Sequence, residues 1–207
     1  MFSVGHLAFG YLSGRASSKL LNVNVDISLL FLASILPDVD LIIPGVEHRG
    51  PIHSILILFL AFVPVLITYK KRAIPYFIAL AQHSLIGDSL TAGGVQLLWP
   101  ITTTWCGAKI EIAGLTNVSL EWIFFLACLT VMLKTKDART LFHDHPSNLL
   151  LPIPILTVLL PTFFNFPISV PIELVPPHLI YLTFFTLSIL IDVKSSLKTT
   201  LTRRQGF

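Results

Sequence analysis

At 207 residues the chain suits one domain, and we expect a single unit over residues 1–207. Hydrophobic residues make up 54% and charged residues only 12%, about half the charge of a soluble domain, which excludes an ordinary soluble fold and implies an integral membrane protein. Cys106 and Cys128 are the 2 cysteines, too few for a disulfide framework or a thiolate zinc site, and a net charge of +3 points to no nucleic-acid partner.

Gly5 to Leu21 reads as a helix whose Gly10, Ser13 and Gly14 allow close packing on a neighbour. Asp26 is placed to cap the apolar run Ile27 to Leu36, and Pro37 predicts a break near Asp38. Pro44, Gly45, Gly50 and Pro51 mark a loop. Ile52 to Tyr69 is the cleanest apolar span, rising about 26 Å, and it stops at Lys70-Lys71-Arg72. Ala73 to about Leu90 returns and carries Gln82, His83 and Asp88. A longer connection follows to about Ser119, with Trp99 and Trp105 suited to an interface. Leu120 to Leu133, Ser147 to Phe166 and Pro176 to Ile191 are the later spans. The expected fold is all-α, a polytopic membrane bundle of about five to seven helices.

Alternating these spans collects Arg15, Lys19, Lys70, Lys71, Arg72, Lys134, Lys136, Arg139, Lys194, Lys198, Arg203 and Arg204 on one side, leaving Arg49 and Lys109 opposite. The positive-inside rule makes the basic side cytoplasmic in a cell or inner membrane. The same alternation sends His6, Asp38, Asp40, His48, His53, Asp88 and Glu121 to the other, extracytoplasmic side.

Imidazoles and carboxylates at the ends of apolar segments are costly unless they serve a purpose. Together they suit a divalent metal, zinc before iron or manganese, as one or two ions. The candidate ligands are His6, Asp38, Asp40, His48, His53, His83 and Asp88. Arg49 fits an anion fork for phosphate or carboxylate. Glu121 is a base, a ligand or a plain helix cap. His143 and His145 lie on the basic side, in a solvated loop or a local metal clip, and His178 starts a helix. Asn117-Val118-Ser119 matches a glycosylation acceptor.

Gly5-His6, Leu36-Pro37-Asp38-Val39-Asp40, His48-Arg49-Gly50-Pro51-Ile52-His53-Ser54, Asp88-Ser89-Leu90-Thr91, Gly94-Val95 and Leu97-Leu98-Trp99-Pro100 resemble, in order and spacing, the YdjM-like family of membrane-bound metal-dependent hydrolases. That family is regarded as distantly similar to zinc-dependent phospholipase C and P1-type nucleases. The resemblance runs from about residue 5 to 122 and implies phosphoester hydrolysis, with His6, Asp38, Asp40, His48, His53, Asp88 and Glu121 as metal residues. Three positions depart from the family pattern. Leu41 stands where a histidine is usual, and Ile52 where a threonine is usual. His83 stands five residues before Asp88, where four is usual. Five residues is about 140° around a helix, so His83 and Asp88 share a direction only across a bulge or a helix end.

The expected function is a membrane-bound hydrolase acting on a small-molecule or lipid phosphoester at the extracytoplasmic face. The alternatives are a divalent-cation transporter and an inactive membrane scaffold. Candidate ligands crowd one end of the spans, whereas a permeation path needs polar residues deeper, and Ile55 to Ile67 and Ile123 to Met132 offer few.

Overall fold

The computed structural model describes the backbone of residues 1–205 and the side chains of residues 1–197. Lys198, Arg203 and Arg204, counted above among the basic residues, lie outside the described side chains. Among the described residues the regular elements are helices, with two isolated bridges, Thr91 with Ile110 and Val95 with Cys106, inside the long connection.

Helix α1 (Ser3–Leu20) is the axis of the bundle, packed by α2 (Ile27–Ile35), α4 (Ile74–Gln82) and α5 (Leu115–Thr135). Its small residues allow this. A Cβ on Gly10 would overlap the Ser34 side chain of α2, and one on Gly14 would press on Leu30. Val4, Leu7, Ala8 and Tyr11 of α1 are fully buried against Leu30, Phe31 and Ile35.

Asp26 caps α2 as expected, accepting the Leu29 N–H at 3.0 Å. Pro37 ends α2 at Ile35, and residues Leu36–Ile42 tighten into a 3-10 helix. After a loop, a short 3-10 turn at Pro51–His53 leads into α3 (Ile55–Tyr69). The apolar run read as starting at Ile52 therefore loses its first residues to a turn that folds His53 inward. The 15 residues of α3 rise only about 22 Å.

Helix α5 is longer than the expected Leu120 to Leu133 and is followed by the short α6 (Asp137–Leu141). Asp137 binds Tyr11 Oη at 2.7 Å and Arg15 Nε at 2.8 Å, tying down the far end of α1. Helices α7 (Pro152–Phe164) and α8 (Val175–Gln205) pack together. From α8, Tyr181 and Phe185 set their rings edge-on to Phe31, with centroids 5.7 and 5.2 Å away.

By length and composition, Leu115–Thr135, Pro146–Phe164 and Ile172–Leu197 are apolar enough to cross a membrane. The segments around α3 and α4 fall short as continuous helices. The first yields residues to the His53 turn, and the second changes helix type at His83.

Candidate metal centre

Four segments converge at the Ser3 end of α1. The 3-10 helix after α2 brings Asp38 and Asp40, the following loop brings His48 and Arg49, and the turn before α3 brings His53. His83 and Asp88 come from the end of α4.

That end is not α-helical. Residues His83–Asp88 form a π turn, in which i→i+5 bonds place residues five apart nearly over one another. The unusual spacing is thus absorbed by the backbone. His83 Nε2 and Asp88 Oδ2 lie 3.3 Å apart, facing the same space.

Four atoms surround that space. His83 Nε2 is 3.2 Å from Asp38 Oδ1 and 3.3 Å from Asp88 Oδ2. His53 Nε2 is 3.4 Å from each of the same two oxygens. A tetrahedral zinc ion bound at about 2.0–2.1 Å holds its donors about 3.3 Å apart. Charge-assisted hydrogen bonds would instead be about 2.7–2.9 Å long. His83 Nε2 and Asp88 Oδ2 are buried and lack a hydrogen-bond partner although they are neighbours. Two imidazole nitrogens and two carboxylate oxygens therefore match four of the six edges of such a tetrahedron, and the donors gather as His53, His83 and Asp88, as His6, Asp38 and His83, and as Asp38, Asp40, His48 and His53.

Each of the other ring nitrogens faces an oxygen behind its ring, hydrogen-bonded in His83 and only close in His53. His83 Nδ1–H donates to the Ser34 carbonyl at 2.8 Å, which leaves Nε2 bare. His53 Nδ1 is 3.1 Å from Asp40 Oδ2. Asp40 thus stands where the carboxylate behind a metal-bound histidine would stand. It also pairs with His48 Nδ1 at 3.0 Å and accepts the Arg49 backbone N–H at 3.2 Å. Burial works to raise the Asp40 carboxyl, but the hydrogen bonds with His48 and His53 hold its pKa below the ordinary range, so it stays ionised.

His6 stacks on His83 with centroids 3.7 Å apart, and its Nε2 is 3.4 Å from Asp88 Oδ1. Gly87 makes this possible, because a Cβ there would overlap the His6 ring. No sequence pattern marked Gly87 or Ser34; each acts through close approach or a carbonyl.

Arg49 is tied down more than an open anion fork would be. Its Nη2 is 3.0 Å from Asp88 Oδ1 and its Nη1 donates to Thr91 Oγ1 at 3.0 Å, while its Nε is buried without a partner. Its backbone sits at φ 63°, a left-handed conformation that costs a non-glycine residue energy and occurs often at functional sites. The long connection clamps this loop. Gln96 N–H donates to the Arg49 carbonyl, and Ser54 Oγ donates to the Leu97 and Trp99 carbonyls.

Glu121 stands apart from the ligand groups. Its oxygens accept the Phe2 N–H at 2.6 Å, the Gly5 N–H at 3.2 Å and the Asn117 amide at 2.9 Å. It caps α1 from a neighbouring helix. Asn117 is buried with its amide donating to Ile112 and Glu121, so it is no accessible glycosylation acceptor. His145 pairs with Asp26 at 3.0 Å, and buried His178 donates from Nδ1 to the Leu174 carbonyl, both away from the centre.

One prediction arises from the π turn. Deleting Leu85, which is 45% exposed, should convert it to an α turn with the commoner four-residue spacing and leave metal content unchanged. Deleting Ser84, Leu85 and Ile86 together should leave the pair two residues apart, about 160° around the helix, and abolish binding. Metal loss in the single deletion would refute the assigned role of the π turn.

These elements define a helical integral membrane protein with a buried histidine–aspartate cluster at one end of its bundle. The chain belongs to the family described as YdjM inner membrane protein, which it matches over residues 1–160. Every residue of the cluster, Arg49 and Glu121 lie inside the match, while α8 lies beyond it. Comparison with curated proteins and with solved structures gives no match.

Proposed function

We propose that the protein is a metal-dependent hydrolase of the membrane, acting on a phosphoester of a small molecule or lipid at the extracytoplasmic face. The observation that carries this reading is the set of four separations of 3.2–3.4 Å joining Asp38, His53, His83 and Asp88. When bound there, zinc or another divalent ion supplies Lewis acidity to a phosphoryl oxygen and acidifies water. The chain's own residues do the rest.

Asp38, His48, Arg49 and Asp88 line one opening, with Leu41, Ile112, Pro161 and Ile168 on its apolar walls. His48 is 30% exposed, with Nδ1 held by Asp40. That leaves Nε2 at the opening to take or give a proton. Arg49 sets positive charge beside the same opening for an anionic substrate. The polar opening with apolar walls suits an amphiphilic phosphoester.

Transport fits less well. One turn below Ser34, the described interior is filled by the apolar Leu7, Leu30 and Phe31, all fully buried, where a permeation path would need polar side chains.

Element analysis followed by a phosphomono- and phosphodiester panel tests this reading. We expect one divalent ion per chain and turnover that is lost in His48→Ala with the metal retained. A metal-loaded protein inert on the whole panel would overturn it. The multi-pass topology is tested by cysteines placed at Glu47 and Lys71. Impermeant thiol reagents added outside should label the first and not the second, and the reverse pattern would contradict the assigned side.

A further inference from the structure

A second site lies toward the other end of the bundle. Leu29, Leu32 and Ala33 fall on one face of α2, at the spacing of a stripe that normally packs on a neighbour, and Leu36 at the start of the 3-10 helix extends it. Phe62, Val65 and Tyr69 form a facing stripe on α3. The stripes do not close on each other. They line a cleft of about 440 Å³, with Ala73 and Tyr76 also in its wall. Leu36 and Val65 remain 37% exposed and Tyr69 61% exposed. In water such a cleft would be a defect; in a bilayer it is a seat for hydrocarbon.

Its charge sits at one end. Arg72 lines the cleft, and Lys70 and Lys71 adjoin it in the short turn after α3. All three are exposed and form no ion pair among the described residues. The acid nearest in sequence to the mouth residue Asn24 is Asp26. Its carboxylate is taken up by the Leu29 N–H, Ser147 and His145, so it does not neutralise the mouth. Along α2 the apolar stripe runs about 10 Å, part of one leaflet's share of an about 30 Å hydrocarbon core. A basic rim above an apolar slot of that depth matches one molecular shape: a phosphate head on an acyl chain.

We propose that this cleft binds an anionic glycerophospholipid, with its headgroup at Lys70, Lys71 and Arg72 and an acyl chain between α2 and α3. The site is independent of the metal centre and of any hydrolysis there.

The test uses the full chain in detergent, mixed with phosphatidylglycerol or phosphatidylcholine of identical acyl chains, with retained lipid counted by native mass spectrometry. Wild type should retain phosphatidylglycerol over phosphatidylcholine by roughly fivefold or more, as one basic contact near a membrane surface provides. Arg72→Ala should reduce that preference. Val65→Trp, which fills the slot, should abolish retention of both lipids. A phosphatidylglycerol carrying a photoreactive acyl chain should label peptides of α2 and α3 in wild type, which keeps the test decisive if Val65→Trp folds poorly. Equal retention of the two lipids, or labelling confined to other helices, would overturn the proposal. So would efficient disulfide cross-linking between copies through Val65→Cys, since a second copy would then cover the cleft.

Discussion

Asp88→Ala is expected to strip the protein of metal and, with it, of activity. The Asp88 carboxylate serves both sides of the centre. Oδ2 lies 3.3–3.4 Å from His83 and His53, and Oδ1 lies 3.4 Å from His6 and 3.0 Å from Arg49. Removing it deletes one of the four proposed donors and leaves the Arg49 guanidinium, 11% exposed, without its carboxylate. Losing one partner of a buried pair costs about 3–5 kcal/mol, so Asp88→Asn, which keeps the shape, should be measured beside it. Asp40→Asn provides the contrast. It removes charge from behind His53 without touching the four-atom cage, and metal affinity should fall only about 10–100-fold. Calorimetric titration with zinc reads both. Equal losses in the two variants would erase the distinction between a donor and the group that orients one.

Glu121→Ala is expected to lower stability far more than it lowers metal affinity. The carboxylate is fully buried and answers the Phe2 and Gly5 N–H groups and the Asn117 amide. An acid beside the N-terminus of a helix is favourable. Leaving these donors unanswered costs about 1–3 kcal/mol each, so a loss of at least about 3 kcal/mol follows. Thermal unfolding and metal content measured on the same sample separate the roles. An unchanged melting temperature with lost turnover would make Glu121 a reacting group instead of a cap.

The sequence already carried the bundle, the break at Pro37, the Asp26 cap and the gathering of His6, Asp38, Asp40, His48, His53, Asp88 and Glu121 at one end. These follow from local signals: an apolar run, a proline, a capping side chain, an ionisable group where a bilayer tolerates none. Distances within the cluster were not legible. Asp40 looks like Asp38 on paper, since both follow Pro37 and are two apart. Only the fold shows Asp38 facing the cage and Asp40 facing the back of His53. The five-residue step from His83 to Asp88 announced a bulge or a helix end, and the fold resolves it as a π turn. Gly87 and the Ser34 carbonyl act through the backbone and leave no residue-type signal. Glu121 read equally as base, ligand or cap, because its role depends on where α1 begins. Helix α3 came out shorter than its apolar run, because the residues that would complete a span are spent turning His53 into the site.

X-ray absorption at the zinc edge, on protein loaded with one equivalent of zinc, bears most directly on the centre. The four-atom cage predicts four nitrogen and oxygen neighbours at about 2.0–2.1 Å, with the outer-shell scattering of two imidazoles and no sulfur. His83→Ala should reduce the imidazole count by one. A spectrum with one imidazole or none in wild type, a shell of six oxygens, or the same two imidazoles in His83→Ala would contradict the assignment of Asp38, His53, His83 and Asp88 as the metal-binding set.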